Sequence, residues 1–174
     1  MIRLATLAAA AALAAAPVLA DRAMLGVLAS GRMFADRPLL RGYALCLLGN
    51  GDPAALAALM AEAGAEMMDE PEMGATFYTL DAPFYVSVYQ DGAICDVASE
   101  EIGTDAALSS LMVVAGITGF TMTDGDCPGL MLGGSVAAQL TSSGNDPSCP
   151  PAETSNVRFT FGAAPEPAAP ALTK

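Results

Sequence analysis

The side chains able to do chemistry in this chain are carboxylates, thiols, thioethers and phenols, because the usual catalytic bases are missing. None of the 174 residues is histidine. That removes Ser-His-Asp and Cys-His nucleophile pairs, imidazole general bases and imidazole metal ligands. The only lysine, Lys174, is the last residue, a poor place for a Schiff base or a Ser-Lys dyad. No GxGxxG, P-loop or Gly-x-Ser-x-Gly elbow occurs, and nothing in the sequence implies a cofactor.

Acid/base work would therefore fall to paired carboxylates, as in glycosidic hydrolysis, where the two groups stand roughly 5–9.5 Å apart. Glu100-Glu101 and Asp124 with Asp126 are the candidate pairs. Such pairs also need a cleft that drives their pKa values apart, and the chain has no tryptophan to stack on a sugar. Asp124 and Asp126 also offer hard oxygen ligands for Ca²⁺, but without the spacing or closing Glu of an EF-hand loop. Met67, Met68 and Met73 lie amid Glu66, Asp69, Glu70 and Glu72. Thioethers suit Cu(I), although methionine is also the ordinary filler of irregular core gaps. Tyr78, Tyr85 and Tyr89, with Asp96, form a candidate binding set, since aromatics anchor protein interfaces. A second packing layer beneath a helix would use the same residues.

The elements that would carry these groups follow from register. Asp91-Gly92 is a two-residue turn signal, because a type I′ turn needs positive φ at both central positions. Closing a hairpin there sets Tyr89 opposite Ile94, Val88 opposite Cys95, Ser87 opposite Asp96 and Val86 opposite Val97. Alternation along a strand then gathers Phe84, Val86, Val88, Cys95 and Val97 on one apolar face. Tyr85, Ser87, Tyr89 and Asp96 fall on the other. A third strand, Ala75 to Leu80, joins through the Asp81-Ala82-Pro83 turn.

Before this meander, Arg22 to Leu28 reads as a short helix. Asp36 and Pro38 open a second, in which Leu39, Tyr43 and Cys46 share a face and Gly49 supplies a left-handed end. Asp52 caps a third, with Pro53 at its first position and Leu56, Leu59, Met60 and Ala63 on its apolar side. Residues 65–74 read as an acidic, Met-rich connection. After the meander, Thr104 or Asp105 caps a helix with Leu108, Leu111, Met112 and Ala115 on one face, ending near Gly116. Strands follow at 120–123, 134–141 and around Val157, Phe159 and Phe161. The expected fold is α+β: one domain, 21–162, with an antiparallel sheet of about six strands and helices mainly on one face.

Met1 to Ala20 has the form of a secretory leader: Arg3, an Ala/Leu run too short to span a bilayer, and small residues before a cleavage point after Ala20. Export permits disulfides, and Cys46–Cys95 with Cys127–Cys149 is the expected pairing of the four cysteines. Residues 163–174, rich in Ala and Pro, read as a disordered tail.

The net charge is −12. Arg22, Arg32, Arg37 and Arg41 precede residue 42, and beyond it only Arg158 and Lys174 stand against the acids. Such a surface disfavours nucleic acid and anionic lipid and favours a basic partner. The function these features suggest is that of an exported, non-enzymatic binding protein, periplasmic or secreted. It meets a basic protein, as an inhibitor or immunity protein does, and inserts in no membrane after leader cleavage. A carboxylate-dependent hydrolase and a Met-based copper protein are the alternatives.

Overall fold

The structure, a computed structural model, describes residues 16–123, 129–132, 136–143 and 151–162. Three helices come first, α1 (Ala16–Ala29), α2 (Leu39–Gly49) and α3 (Pro53–Glu62). Four strands follow in a meander: β1 (Glu66–Glu70), β2 (Ala75–Thr79), β3 (Tyr85–Tyr89) and β4 (Ile94–Ser99). After α4 (Thr104–Thr118) come β5 (Thr121–Thr123), β6 (Gly129–Leu132), β7 (Val136–Thr141) and β8 (Ser155–Phe161). The strands form one sheet in the order β1-β2-β3-β4-β8-β7-β6-β5, antiparallel at every pairing. The fold is α+β with its helices on one face, as the sequence leads one to expect. The described strands number eight rather than about six.

The β3–β4 hairpin has the register that the Asp91-Gly92 turn dictates, from Val86↔Val97 to Tyr89↔Ile94. Asp91 and Gly92 both take positive φ, at 52° and 95°, and Ala93 N–H donates to Gln90 O across the turn. Gly92 is required twice over. Its φ favours glycine, and a Cβ there would stand 2.6 Å from Gly51 O and 2.8 Å from Pro53 Cδ, where the hairpin tip meets the α2–α3 turn.

The inward side of the sheet and the helices share one core. Val86, Val88, Cys95, Val97, Val157 and Phe159 from the strands meet Leu39, Leu40, Tyr43 and Leu45 of α2 and Leu111 and Val114 of α4. α2 lies unusually close to the sheet because of Gly42, where a Cβ would come within 2.7 Å of Val97 Cγ1 and 2.9 Å of the Phe84 ring. One helical turn further on, Cys46 faces the same way and bonds Cys95 of β4, with Cα atoms 5.8 Å apart. Gly42→Ala improves helix propensity. It is nevertheless expected to cost about 1–3 kcal/mol, because it lifts α2 off β4; a urea denaturation midpoint measures this.

Tyr43 is fully buried and stacks edge-on against Phe159, with ring centroids 5.7 Å apart. Its hydroxyl finds no hydrogen-bond partner among the described residues. Burial pushes its pKa up from the ordinary 10.0. Above about pH 10 the unfolded chain sheds this proton and the folded chain keeps it, so stability falls as pH rises through that range. Tyr43→Phe is therefore expected to raise stability at pH 7 by about 1 kcal/mol. It also makes the alkaline decline shallower, which thermal melts from pH 8 to pH 11 would register.

Caps and ties explain the helix ends. The Asp52 carboxylate accepts from Ala54 N–H and Ala55 N–H at 2.9 and 3.1 Å, with Pro53 at the first helical position. Arg41 is structural rather than loose surface charge. Its Nε donates to Ala29 O at 3.2 Å and its Nη2 to Ala63 O at 2.8 Å, so one guanidinium holds the C-terminal carbonyls of α1 and α3. Leu25 and Leu28, the core residues of α1, both lie beyond Ala20, and the helix itself runs through the expected cleavage point.

Several elements differ from their sequence reading. The left-handed end of α2 falls on Asn50, φ 50°, one residue after Gly49. The N-cap of α4 is Gly103, and the helix ends at Thr118, with Gly119 as its left-handed cap, rather than near Gly116. Thr104 does not cap it. Its N–H and Oγ1 instead pair with Ala152 O and N–H, tying the helix start to the segment before β8. The buried face of α4 is Ala107, Leu111, Val114, Ala115 and Thr118, which leaves Met112 exposed. Residues 66–70 are a strand, β1, rather than a connection. It is exposed along nearly all its length, so no buried period was there to read. Glu66, Asp69 and Glu70 on this edge oppose pairing with a second copy. Cys127, Cys149, Asp124, Asp126, residues 1–15 and residues 163–174 lie outside the described residues. Among the described residues no helix is long and apolar enough to cross a membrane.

Candidate binding face

The outward face of the sheet is laid out by register in three rows that cross the strands. The central row runs Met68, Phe77, Ser87, Asp96, Arg158, Gln139 from β1 to β7. One flanking row carries Tyr85 beside Ala98 and Asn156, and the other carries Tyr89 beside Ile94 and Thr160. None of these residues belongs to the helix-facing core.

Phe77 sits opposite Ser87, so the tyrosines two residues either side are its diagonal neighbours. Its ring centroid lies 6.2 Å from that of Tyr85 and 6.4 Å from that of Tyr89. Ser87, only 2 % exposed, leaves room for this cluster. Tyr85 is 36 % exposed and Met68 55 % exposed, which continues an apolar surface towards the β1 edge.

Next to the aromatics, Arg158 closes a fork on Asp96: Nε to Oδ1 at 2.9 Å and Nη2 to Oδ2 at 2.8 Å. The side chain of Asp96 is 3 % exposed and that of Arg158 34 %. This charge-assisted bond raises the Arg158 pKa. The Tyr85 hydroxyl is pushed up first by burial, then by the charges of Tyr89, Glu100 and Asp96. The rim is acidic: Glu66 and Glu70 on β1, Asp91 at the hairpin tip and Glu100 after β4, with Arg158 the cation among them and already paired.

Of the sequence candidates, Tyr85, Tyr89 and Asp96 come together here. Tyr78 does not, because it shares the inward side with Val86 and is 6 % exposed. Phe77 takes the place beside Tyr85 and Tyr89. Phe77 and Arg158 join the face without a local signal in the sequence. The Phe77 position follows once the β2–β3 register is known, whereas Arg158 is 62 residues from Asp96. Met67 and Met68 pair with Tyr78 and Phe77 respectively, so they point to opposite faces, and Met73 lies in the turn after β1. Their three thioethers do not converge. Among the described residues no three His, Cys, Asp or Glu side chains are grouped to hold a metal.

Glu100 and Glu101 diverge. Glu100 lines a cavity of about 220 Å³ at the Tyr85 end of the face. Glu101 lines another, of about 490 Å³, between the starts of α2 and α4. Ser99 sets this divergence: its Oγ donates to Pro83 O and accepts from Glu101 N–H and Ile102 N–H, turning the chain sharply after β4.

Comparison of the chain with protein-family models, curated proteins and solved structures finds no match.

Proposed function

We propose that this chain is an exported, non-enzymatic binding protein that docks a basic protein on the outward face of its sheet, as an inhibitor or immunity protein would. The observation that carries this reading is the Phe77–Tyr85–Tyr89 cluster, an aromatic surface outside the helix-packed core and edged by Glu66, Glu70, Asp91 and Glu100. Rigid aromatics with a charged rim are the usual make-up of a protein interface. The partner is basic because, among the described residues, the one cation of the face, Arg158, is spent on Asp96. The periplasm or the extracellular space is the proposed location. The leader pattern of Met1–Ala20 supports it, and the Cys46–Cys95 disulfide fits an oxidising compartment.

The test is capture of a partner from the cell envelope by the oxidised protein, followed by kinetics on the purified pair. Association should slow steeply as salt rises. Tyr85→Ala and Tyr89→Ala should each weaken binding about tenfold or more, the loss typical of an aromatic anchor. Met112→Ala, on α4, should change nothing. Affinity indifferent to both tyrosines would refute the reading. A carboxylate-dependent hydrolase built on Glu100 and Glu101 has less support, since the two line different cavities, Glu100 the one of about 220 Å³ and Glu101, with Asp36, the one of about 490 Å³.

A further inference from the structure

The geometry points to a side-chain-sized cation site at the Tyr85 end of the sheet face, built to take a lysine ammonium or an arginine guanidinium of the docked partner. This rests on the reading of the face as a docking site for a basic protein, and adds the group that is recognised.

The cavity of about 220 Å³ forms because the row across β3, β4 and β8 reads Tyr85, Ala98, Asn156. The small Ala98 is its floor, and the larger side chains on either side are its walls. Glu100, Ser142, Ser143 and Thr154 complete it. Cavities for drug-sized molecules run from roughly 300 to 1,000 Å³, so this one suits a single side chain.

Its polar groups are biased towards accepting. Three of the hydroxyl protons are spent on backbone: Ser99 Oγ donates to Pro83 O, Ser155 Oγ to Ile102 O and Thr154 Oγ1 to Ser142 O. Glu100 brings a carboxylate. Asn156 is only 7 % exposed, yet its Oδ1 has no hydrogen-bond partner among the described residues. Buried amide oxygens are nearly always paired, and leaving one unpaired costs about 1–3 kcal/mol. The soft χ2 of asparagine lets that oxygen turn to a donor entering the cavity. Ammonium and guanidinium groups are donors without acceptors, the complement of such a lining. Of the charges nearby, Glu100 has no ion-pair partner among the described residues and Asp96 is matched by Arg158; after burial, Tyr89 and both acids raise the Tyr85 pKa. The local potential is negative.

The test uses the full, oxidised protein, isotope-labelled for NMR. It is titrated with N-acetyl-arginine amide, N-acetyl-lysine amide and, as a neutral chain of similar length, N-acetyl-norleucine amide. The two cations should give saturable shifts confined to Tyr85, Ala98, Ser99 and Asn156, and norleucine should give none. Glu100→Gln, at an exposed position where folding is not at risk, should weaken both cations about tenfold, the worth of one charge-assisted hydrogen bond. Asn156→Ala should weaken them too, its fold checked by the unchanged β4–β8 amide pattern. Equal shifts with norleucine, no saturation, or undiminished binding to Glu100→Gln would overturn the site. The two readings fail separately. Partner binding that depends on Tyr89 but not on Glu100 keeps the docking face and removes this site. Cation binding with a partner indifferent to Tyr85 and Tyr89 removes the docking face, and with it the role assigned to the cavity.

Discussion

Arg158→Ala is expected to lower stability by about 3 kcal/mol. The substitution leaves the Asp96 carboxylate almost wholly buried with its fork partner gone, and removing one member of a buried pair typically costs about 3–5 kcal/mol. The lower end applies because Arg158 keeps a third of its side chain in water. The cost belongs to the orphaned charge rather than to the attraction itself. An Asp96→Val, Arg158→Leu double variant, which sets two apolar side chains opposite one another on β4 and β8, should therefore recover most of the loss. Urea unfolding of the two variants decides this. A single variant within about 0.5 kcal/mol of the wild type would mean that Asp96 is solvated and the pair a surface ornament.

Breaking the Cys46–Cys95 bond is the second large effect. The bridge closes a loop of 49 residues that holds the last turn of α2, α3 and the strands β1, β2 and β3. In the chain-entropy account a loop of that size contributes about 4 kcal/mol. For a domain of this length that corresponds to a melting temperature lower by about 10 °C. The Cys46→Ala, Cys95→Ala double variant compared with the oxidised protein tests it. The comparison should be made in the absence of reductant, so that the other cysteines are not altered. A difference under about 1 kcal/mol would mean that the contacts beneath Gly42 already hold α2 on β4 and the bridge adds little.

These two crosslinks show what the sequence does and does not reveal. Cys46–Cys95 was legible because both cysteines sit on strongly periodic elements: a helix whose i, i+4, i+7 face is apolar, and a hairpin whose turn residues allow one register. The inward and outward assignment of Val86 to Val88 and Cys95 to Val97 followed from the same turn. The Asp96–Arg158 fork was not legible, because β8 joins β4 only after the chain has run through α4 and three further strands. No local pattern announces which strand becomes the neighbour. Strand β1 escaped for a different reason. An edge strand exposed on both faces has no reason to alternate, so Glu66 to Glu70 looks like a loop. In α4 alanine, leucine, valine and methionine follow one another so closely that several apolar faces are possible; the folded helix buries Ala107, Leu111 and Val114 and leaves Met112 in solvent.

The same contrast governs the candidate binding face. Tyr85, Tyr89 and Asp96 could be placed from the hairpin alone. Phe77 required the β2–β3 register. The cavity beside Tyr85 required Asn156 on β8 and the bend imposed by Ser99, both invisible without the sheet order. Tyr78 differs from Tyr85 and Tyr89 only in parity, and parity put its ring in the core.

The proposed docking surface is the outward sheet face, not the helical layer. Hydroxyl-radical footprinting of the protein alone and bound to its captured partner tests that placement most directly. The predicted result is protection of Met68, Phe77, Tyr85 and Tyr89, with Met24 on α1 and Met112 on α4 oxidised as fast as before. Protection of Met24 or Met112 with Tyr85 and Tyr89 unchanged would place the interface on the helices and contradict it.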